Sequence, residues 1–234
     1  MVAASPPLLT MLRELVHFAR HAPATLRLKR ALPQAELYDR LCGAGDSAGM
    51  SEWRSRLVAD LTGDILEIGA GTGLMFPHYR AGARVTALEP DAAFAALAAP
   101  RVAAAAANIT IVSGTAEALP GPSRSRDGAV VGLVLCSVPN PVAALGELAR
   151  VLRPGAPLRL VEHVRSPHAV AGVLMRAANP LWLALNAQGC NMHRDPLPAI
   201  REAGFLVERV EPFQIFTPGI PAFPMRAIWA RAAG

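Results

Sequence analysis

The chain is predicted to fold as an α/β domain, with a seven-stranded, mostly parallel sheet, helices on both faces and the last strand antiparallel. Three observations predict it. Seven short apolar, β-branched runs recur between residues 64 and 230, most of them separated by segments with helical spacing, which is the pattern of parallel strands buried on both sides. The break "GAGTG" at 69–73 follows the first run directly, and ligands of doubly wound sheets sit beyond the carboxyl ends of the strands. The last two runs are joined by a proline-rich segment without a helix, as an antiparallel return requires.

The elements follow in order. Leu8, Leu12, Leu15, Val16 and Ala19 share a helical face with Arg13, Glu14, His17 and Arg20 largely between them, and Pro23 ends the helix. Its plain reading is packing on the domain; the sharper one is an interfacial helix on anionic lipid, helped by the basic run "LRLKR" at 26–30. "GAGDSAGM" at 43–50 reads as a flexible loop, 52–61 as a helix, and Gly63 as its stop. Strands are expected at 64–68, 84–88, 109–112, 129–135, 157–163, 205–210 and 225–230, with helices at 91–99 and 141–152 among those between them. Residues 166–186 interrupt this alternation with an apolar segment carrying Met175, Leu181, Trp182, Leu183 and Leu185. It reads as a cover over an apolar substrate, with Tyr38 and the N-terminal helix as the other wall; ordinary core filling is the alternative.

Composition narrows the classes. A chain of 234 residues holds one good core. The net charge of +5 and pI near 9.8 point to an anionic partner, yet the arginines are scattered and "LRLKR" has no interleaved aromatics, so nucleic acid is not expected. Cys42, Cys136 and Cys190 form no CxxC pair, which predicts free thiols in a reducing compartment. No apolar run reaches the roughly 18 residues of a membrane span, and the start lacks the pattern of a secretory signal. A cytoplasmic protein is expected, with peripheral membrane contact through the N-terminal basic helix as the alternative to its packing on the domain.

The glycine break excludes two nucleotide motifs. Counted from Gly69 and Gly71, the position a dinucleotide fingerprint reserves for its third glycine holds Leu74. No G-K-[ST] follows for a phosphate loop. What remains is Glu67-x-Gly69-x-Gly71-x-Gly73, with a second carboxylate, Glu89, at the end of the next strand. There it can accept both hydroxyls of a ribose.

This arrangement resembles the first motif of class I S-adenosylmethionine-dependent methyltransferases, whose fold is Rossmann-like. The resemblance implies S-adenosylmethionine as cofactor. Its amino-acid tail would lie on the bare backbone of Gly69, Ala70, Gly71 and Gly73, Glu67 would reach its ammonium, and Glu89 with Pro90 would hold the ribose. "SGTAEALP" at 113–120 is similar to the adenine segment, with Thr115 where an acid is usual and Ala116 and Glu117 beside it. From Met50 onward, "LVLCSV", "RVLRPG", "EHV" and "NPLWLALNAQGCNMHRD" together resemble the methyltransferase-like seven family, membrane-associated enzymes that methylate alkyl thiols. Two departures are Ala156 in place of a second glycine after "RPG" and a start unlike the hydrophobic anchor of the animal enzymes. The implied organisation is an N-terminal helical extension and lid at 1–48 and a methyltransferase domain at 49–234.

The implied reaction is in-line methyl transfer to a small hydrophobic acceptor, a thiol first. A phospholipid amine or quinol is the alternative acceptor, and a non-catalytic cofactor-binding module the alternative outside catalysis. A thiol must lose its proton to attack, so a neutral histidine nearby would help. His163, His193, Ser137 and Asn140 are the catalytic candidates. Cys190 and His193 have C-x-x-H spacing, but no partner pair supplies the four ligands of a structural zinc site, so no metal is expected.

Overall fold

A computed structural model describes residues 27–185, 189–215 and 224–234, together with Val16, Arg20 and Pro23. Apart from Val16 and Arg20, the predicted helix at 8–20 lies outside the described residues. The strands are β1 (Asp64–Ile68), β2 (Arg84–Leu88), β3 (Asn108–Val112), β4 (Gly128–Gly132), β5 (Pro157–His163), β6 (Phe205–Phe213) and β7 (Met225–Ala232). The helices are α1 (Gln34–Gly45), α2 (Ser51–Val58), α3 (Ala92–Ala104), α4 (Pro141–Val151), α5 (Ala169–Leu185) and α6 (Leu197–Glu202).

The sheet order is β3-β2-β1-β4-β5-β7-β6. β1 pairs in parallel with β2 and β4, and β7 runs antiparallel to both β5 and β6. Alternation along each strand divides the core. Leu66, Ile68, Ala129 and Val131 face Leu145, Leu148 and Val151 of α4, while Ile65 and Val130 face Leu57 and Val58 of α2 and Ala98 of α3. The strand order reverses between β1 and β4, which opens a crevice at their carboxyl ends.

Helix ends follow local chemistry. Asp91 caps α3 by accepting from the Ala93 N–H at 2.8 Å, and Asn140 caps α4 by accepting from the Ala143 N–H at 3.0 Å, with Pro141 in the first turn. Both α3 and α5 run on through a proline, Pro100 and Pro180.

Two expectations are corrected. Residues 43–50 are not a loop: α1 runs to Gly45 and leads through a turn, Asp46–Met50, that is kinked at Gly49, whose φ of 121° is not helical, into α2. The turn is held by the Arg54–Asp46 pair at 2.8 Å and by burial of Met50, tertiary contacts that small polar residues do not announce. β4 stops at Gly132 and not at 135, because Leu133 takes φ 60° and turns the chain. That conformation is costly for a residue with a β-carbon.

Candidate active site

The crevice has two halves. At the β1–β2 tips, Gly69, Gly71 and Gly73 all have positive φ. A β-carbon at Gly69 would overlap Val134, and one at Gly73 would stand 2.7 Å from the Phe76 ring. Those two glycines are therefore required by the chain's own packing. Gly71 differs, since a β-carbon there would meet only Tyr38, at an ordinary 3.5 Å.

The loop is pinned to the second strand. The Ala70 N–H donates to Leu88 O at 2.8 Å. Glu89, buried, accepts from the Gly71 N–H at 2.8 Å and from the Asp91 N–H at 3.1 Å. Burial raises the pKa of its carboxyl. Each oxygen has spent one acceptor position, and a carboxylate has about four, so two hydroxyl donors still fit. Pro90 is exposed beside it.

Thr72, unmarked by the sequence, is 1% exposed, and its hydroxyl is buried without a hydrogen-bond partner. A buried hydroxyl without a protein partner is costly. Glu67 is buried and accepts from the Tyr79 hydroxyl at 2.9 Å; burial pushes its pKa up to about 7. Tyr38 of α1 lies over Gly71 and against Phe94, ring centroids 5.2 Å apart. Arg101 of α3 fastens this cover, donating to Thr72 O at 2.8 Å and pairing with Asp39 of α1 at 2.9 Å. In the 113–120 segment Ala116 is buried, Thr115 is exposed, and Glu117 accepts from the Asn140 N–H at 3.3 Å.

At the β4–β5 tips the groups are side chains. Glu162, 0% exposed, accepts from the N–H groups of Val134 and Leu135 at 2.9 Å each and of Cys136 at 3.1 Å. Burial raises its pKa against those three bonds. This nest holds the turn that Leu133 begins. The next residue, His163, has Nδ1 3.3 Å from Cys190 Sγ, and the ligand atoms of Cys136, His163 and Cys190 all lie within 4.8 Å of one another. A hydrogen bond to Cys190, with burial, holds the Cys136 thiol well above its ordinary range.

A cavity of about 120 Å³ opens here, lined by Leu135, Cys136, Leu145, Glu162, His163 and Arg194 among others. The other candidates are spread out. Asn140 is exposed and occupied as a helix cap. Ser137 Oγ lies 3.5 Å from Cys136 Sγ. His193 has a buried Nδ1 without a partner, and burial, then Arg176, Arg194 and Arg165, hold it below the ordinary histidine range.

α5 packs on this half by its polar and sulfur groups. Asn179 donates to Asn191 Oδ1 at 3.1 Å, the Trp182 indole donates to Cys190 O at 2.8 Å, and Met175 S accepts from the Ser166 N–H at 3.3 Å. Its apolar residues do not fill core: Val170, Val173, Leu174, Leu181 and Leu183 are exposed. Among the described residues no helix is long and apolar enough to cross a membrane.

Sequence reasoning missed Thr72, Glu162 and the meeting of Cys136 with His163 and Cys190. One signal was available, because an acidic residue inside the apolar run "RLVEHV" must have donors waiting for it.

Comparison with known proteins gives one family. A family model described as a methyltransferase domain matches residues 66–160. The chain is 32% identical to thiol S-methyltransferase TMT1A of Homo sapiens over 154 residues, 60% of this chain and 59% of that relative, so it spans about six-tenths of that relative's length. It is 30% identical to demethylmenaquinone methyltransferase of Thermus thermophilus, with 62% of this chain and 67% of the relative covered. The structure of a methyltransferase from Bacillus halodurans shares the fold, with a TM-score of 0.63 at 16% identity over 80% of this chain and 99% of that one.

Proposed function

This chain belongs to the S-adenosylmethionine-dependent methyltransferases, and from that premise we propose that it methylates the sulfur of a small apolar thiol. When bound, S-adenosylmethionine supplies an electrophilic methyl carbon on a sulfonium. The chain's own task is to hold that donor, align an acceptor in line with it and exclude water. Alignment is worth up to about 7–11 kcal/mol in favourable cases.

The glycine loop with Glu67 and Glu89 is assigned to the donor, and the turn at Thr115, Ala116 and Glu117 to its adenine. The bare backbone at Gly71, the spare acceptor positions of Glu89 and the partnerless hydroxyl of Thr72 support that assignment. The acceptor is assigned to the cavity at the β4–β5 tips. The likeness to a thiol S-methyltransferase carries the choice of sulfur, and the apolar walls of Leu135 and Leu145 suit an alkyl group. Of the two histidine candidates, His163 lines that cavity and His193 does not.

Carbon methylation of a quinol is the second reading, favoured by the Thermus thermophilus relative. Incubation with methyl-labelled S-adenosylmethionine and a panel of alkyl thiols, quinols and phospholipid amines separates the readings. Labelled thioether is expected. Label confined to a quinol carbon or a lipid amine overturns the thiol reading.

A further inference from the structure

We propose that Cys136, His163 and Cys190 form a three-ligand site for a zinc-like divalent cation, whose open fourth position takes the acceptor thiol as a thiolate. The fourth ligand rests on the thiol reading above; the three protein ligands do not. Two thiolates and one imidazole with a vacant position are a known catalytic zinc set. Two thiolates and a neutral imidazole also cancel a divalent charge, so the loaded site is neutral where Cys136 is buried.

The distances are near those required. A tetrahedral site with metal–sulfur bonds of about 2.3 Å sets neighbouring ligand atoms about 3.7 Å apart. Here His163 Nδ1 and Cys190 Sγ are 3.3 Å apart, and all three atoms lie within 4.8 Å of one another. Closing on a cation therefore takes about 1 Å of movement.

The ligands come from three segments that the fold ties together next to the ligating atoms. Glu162, adjacent to His163, grips the Cys136 N–H at 3.1 Å. Asn191, adjacent to Cys190, donates its N–H to Cys136 O at 2.8 Å and its side-chain amide to the same oxygen at 3.3 Å. The Trp182 indole holds Cys190 O at 2.8 Å. These bonds fix the main chain at Cys136 and Cys190 and so hold the two sulfurs beside the His163 ring.

The chemistry is redox-neutral. Loading displaces one proton from each cysteine thiol to solvent. Docking replaces the acceptor's S–H bond with an S–metal bond, the sulfur keeps the electron pair, and the proton leaves to solvent. Cys136 and His163 line the cavity, so the fourth position opens into it.

The test uses the full chain, stripped with chelator under reductant and titrated with Co²⁺. One equivalent should bind with thiolate-to-cobalt charge-transfer absorption and the visible bands of a tetrahedral site. An alkyl thiol should then shift the visible bands and release one proton per thiol. Cys190→Ser and His163→Asn should each weaken Co²⁺ at least tenfold; the wild-type titration stands if either variant fails to fold. Absence of the charge-transfer band or an unchanged spectrum in folded Cys190→Ser would overturn the site. A cobalt site indifferent to alkyl thiols, or full thiol methylation by the chelated protein, would overturn the docking. Failure of the thiol reading is distinct: it appears as no labelled thioether with either form, while the cobalt spectrum stands.

Discussion

At the β1–β2 tips the groups assigned to the donor come from residues 67–89 and include bare backbone, whereas at the β4–β5 tips the clustered groups are side chains drawn from three segments far apart in the chain. The first half depends on what a residue lacks: a β-carbon at Gly71, a partner for the Thr72 hydroxyl. The second depends on what distant residues supply, Glu162 to the turn at 134–136 and Asn191 to Cys136. A cradle of backbone is set by local φ angles and is sensitive to single additions. A constellation of side chains is set by a network and is sensitive to single deletions.

The contrast can be broken most forcefully at Glu162. Glu162→Ala strands three interior N–H groups at about 1–3 kcal/mol each, so urea unfolding should show a loss of about 4 kcal/mol, and a loss below about 1 kcal/mol would mean that the turn holds itself. In the backbone half, Gly69→Ala and Gly71→Ala should part company. Gly69→Ala adds overlap with Val134 to a left-handed φ and should cost about 3 kcal/mol, while Gly71→Ala should cost only about 1 kcal/mol yet raise the Kd for S-adenosylmethionine at least tenfold. Equal stabilities for the two would erase the distinction drawn between them.

Glu67 sharpens the comparison through pH. A carboxyl whose folded pKa is near 7, above its unfolded 4.5, contributes stability that is full below pH about 4.5 and lost as pH rises through about 7. Glu67→Gln keeps an acceptor for the Tyr79 hydroxyl and removes the titration. Between pH 5 and 8 the ligand-free wild type should therefore lose roughly 2.5 kcal/mol more than the variant, and parallel stability curves would place the Glu67 pKa elsewhere. The smallest effect is expected for Glu89→Ala, which should stay folded and bind S-adenosylmethionine at least tenfold more weakly by calorimetry, about 1.4 kcal/mol. Unchanged affinity removes Glu89 from the site.

These differences explain what the sequence made legible. The strands were readable because β-branched runs buried on both faces leave a local trace, and the glycine loop because left-handed φ selects glycine. The reason for the glycines was only partly readable, since Val134 and Phe76, which exclude β-carbons at Gly69 and Gly73, lie elsewhere in space. The kinked turn at Asp46–Met50 was hidden because the contacts that stabilise it, Arg54 above all, are tertiary. The meeting of Cys136, His163 and Cys190 was hidden because no spacing rule connects residues on two strand tips and a later loop. The pairing of β4 with β5, the Glu162 bond to Cys136, the Trp182 bond to Cys190 and the anchoring of Asn191 bring them together.

The sheet order carries one more consequence. β7 sits between β5 and β6, so among the described residues β6 pairs in the sheet with β7 alone. β6 therefore reaches the sheet only through β7. Amide protons across its ladder, such as those around Val210 and Ile228, should exchange with deuterium as one cooperative unit, and β5 should keep its protection on the β4 side when that pair peels away.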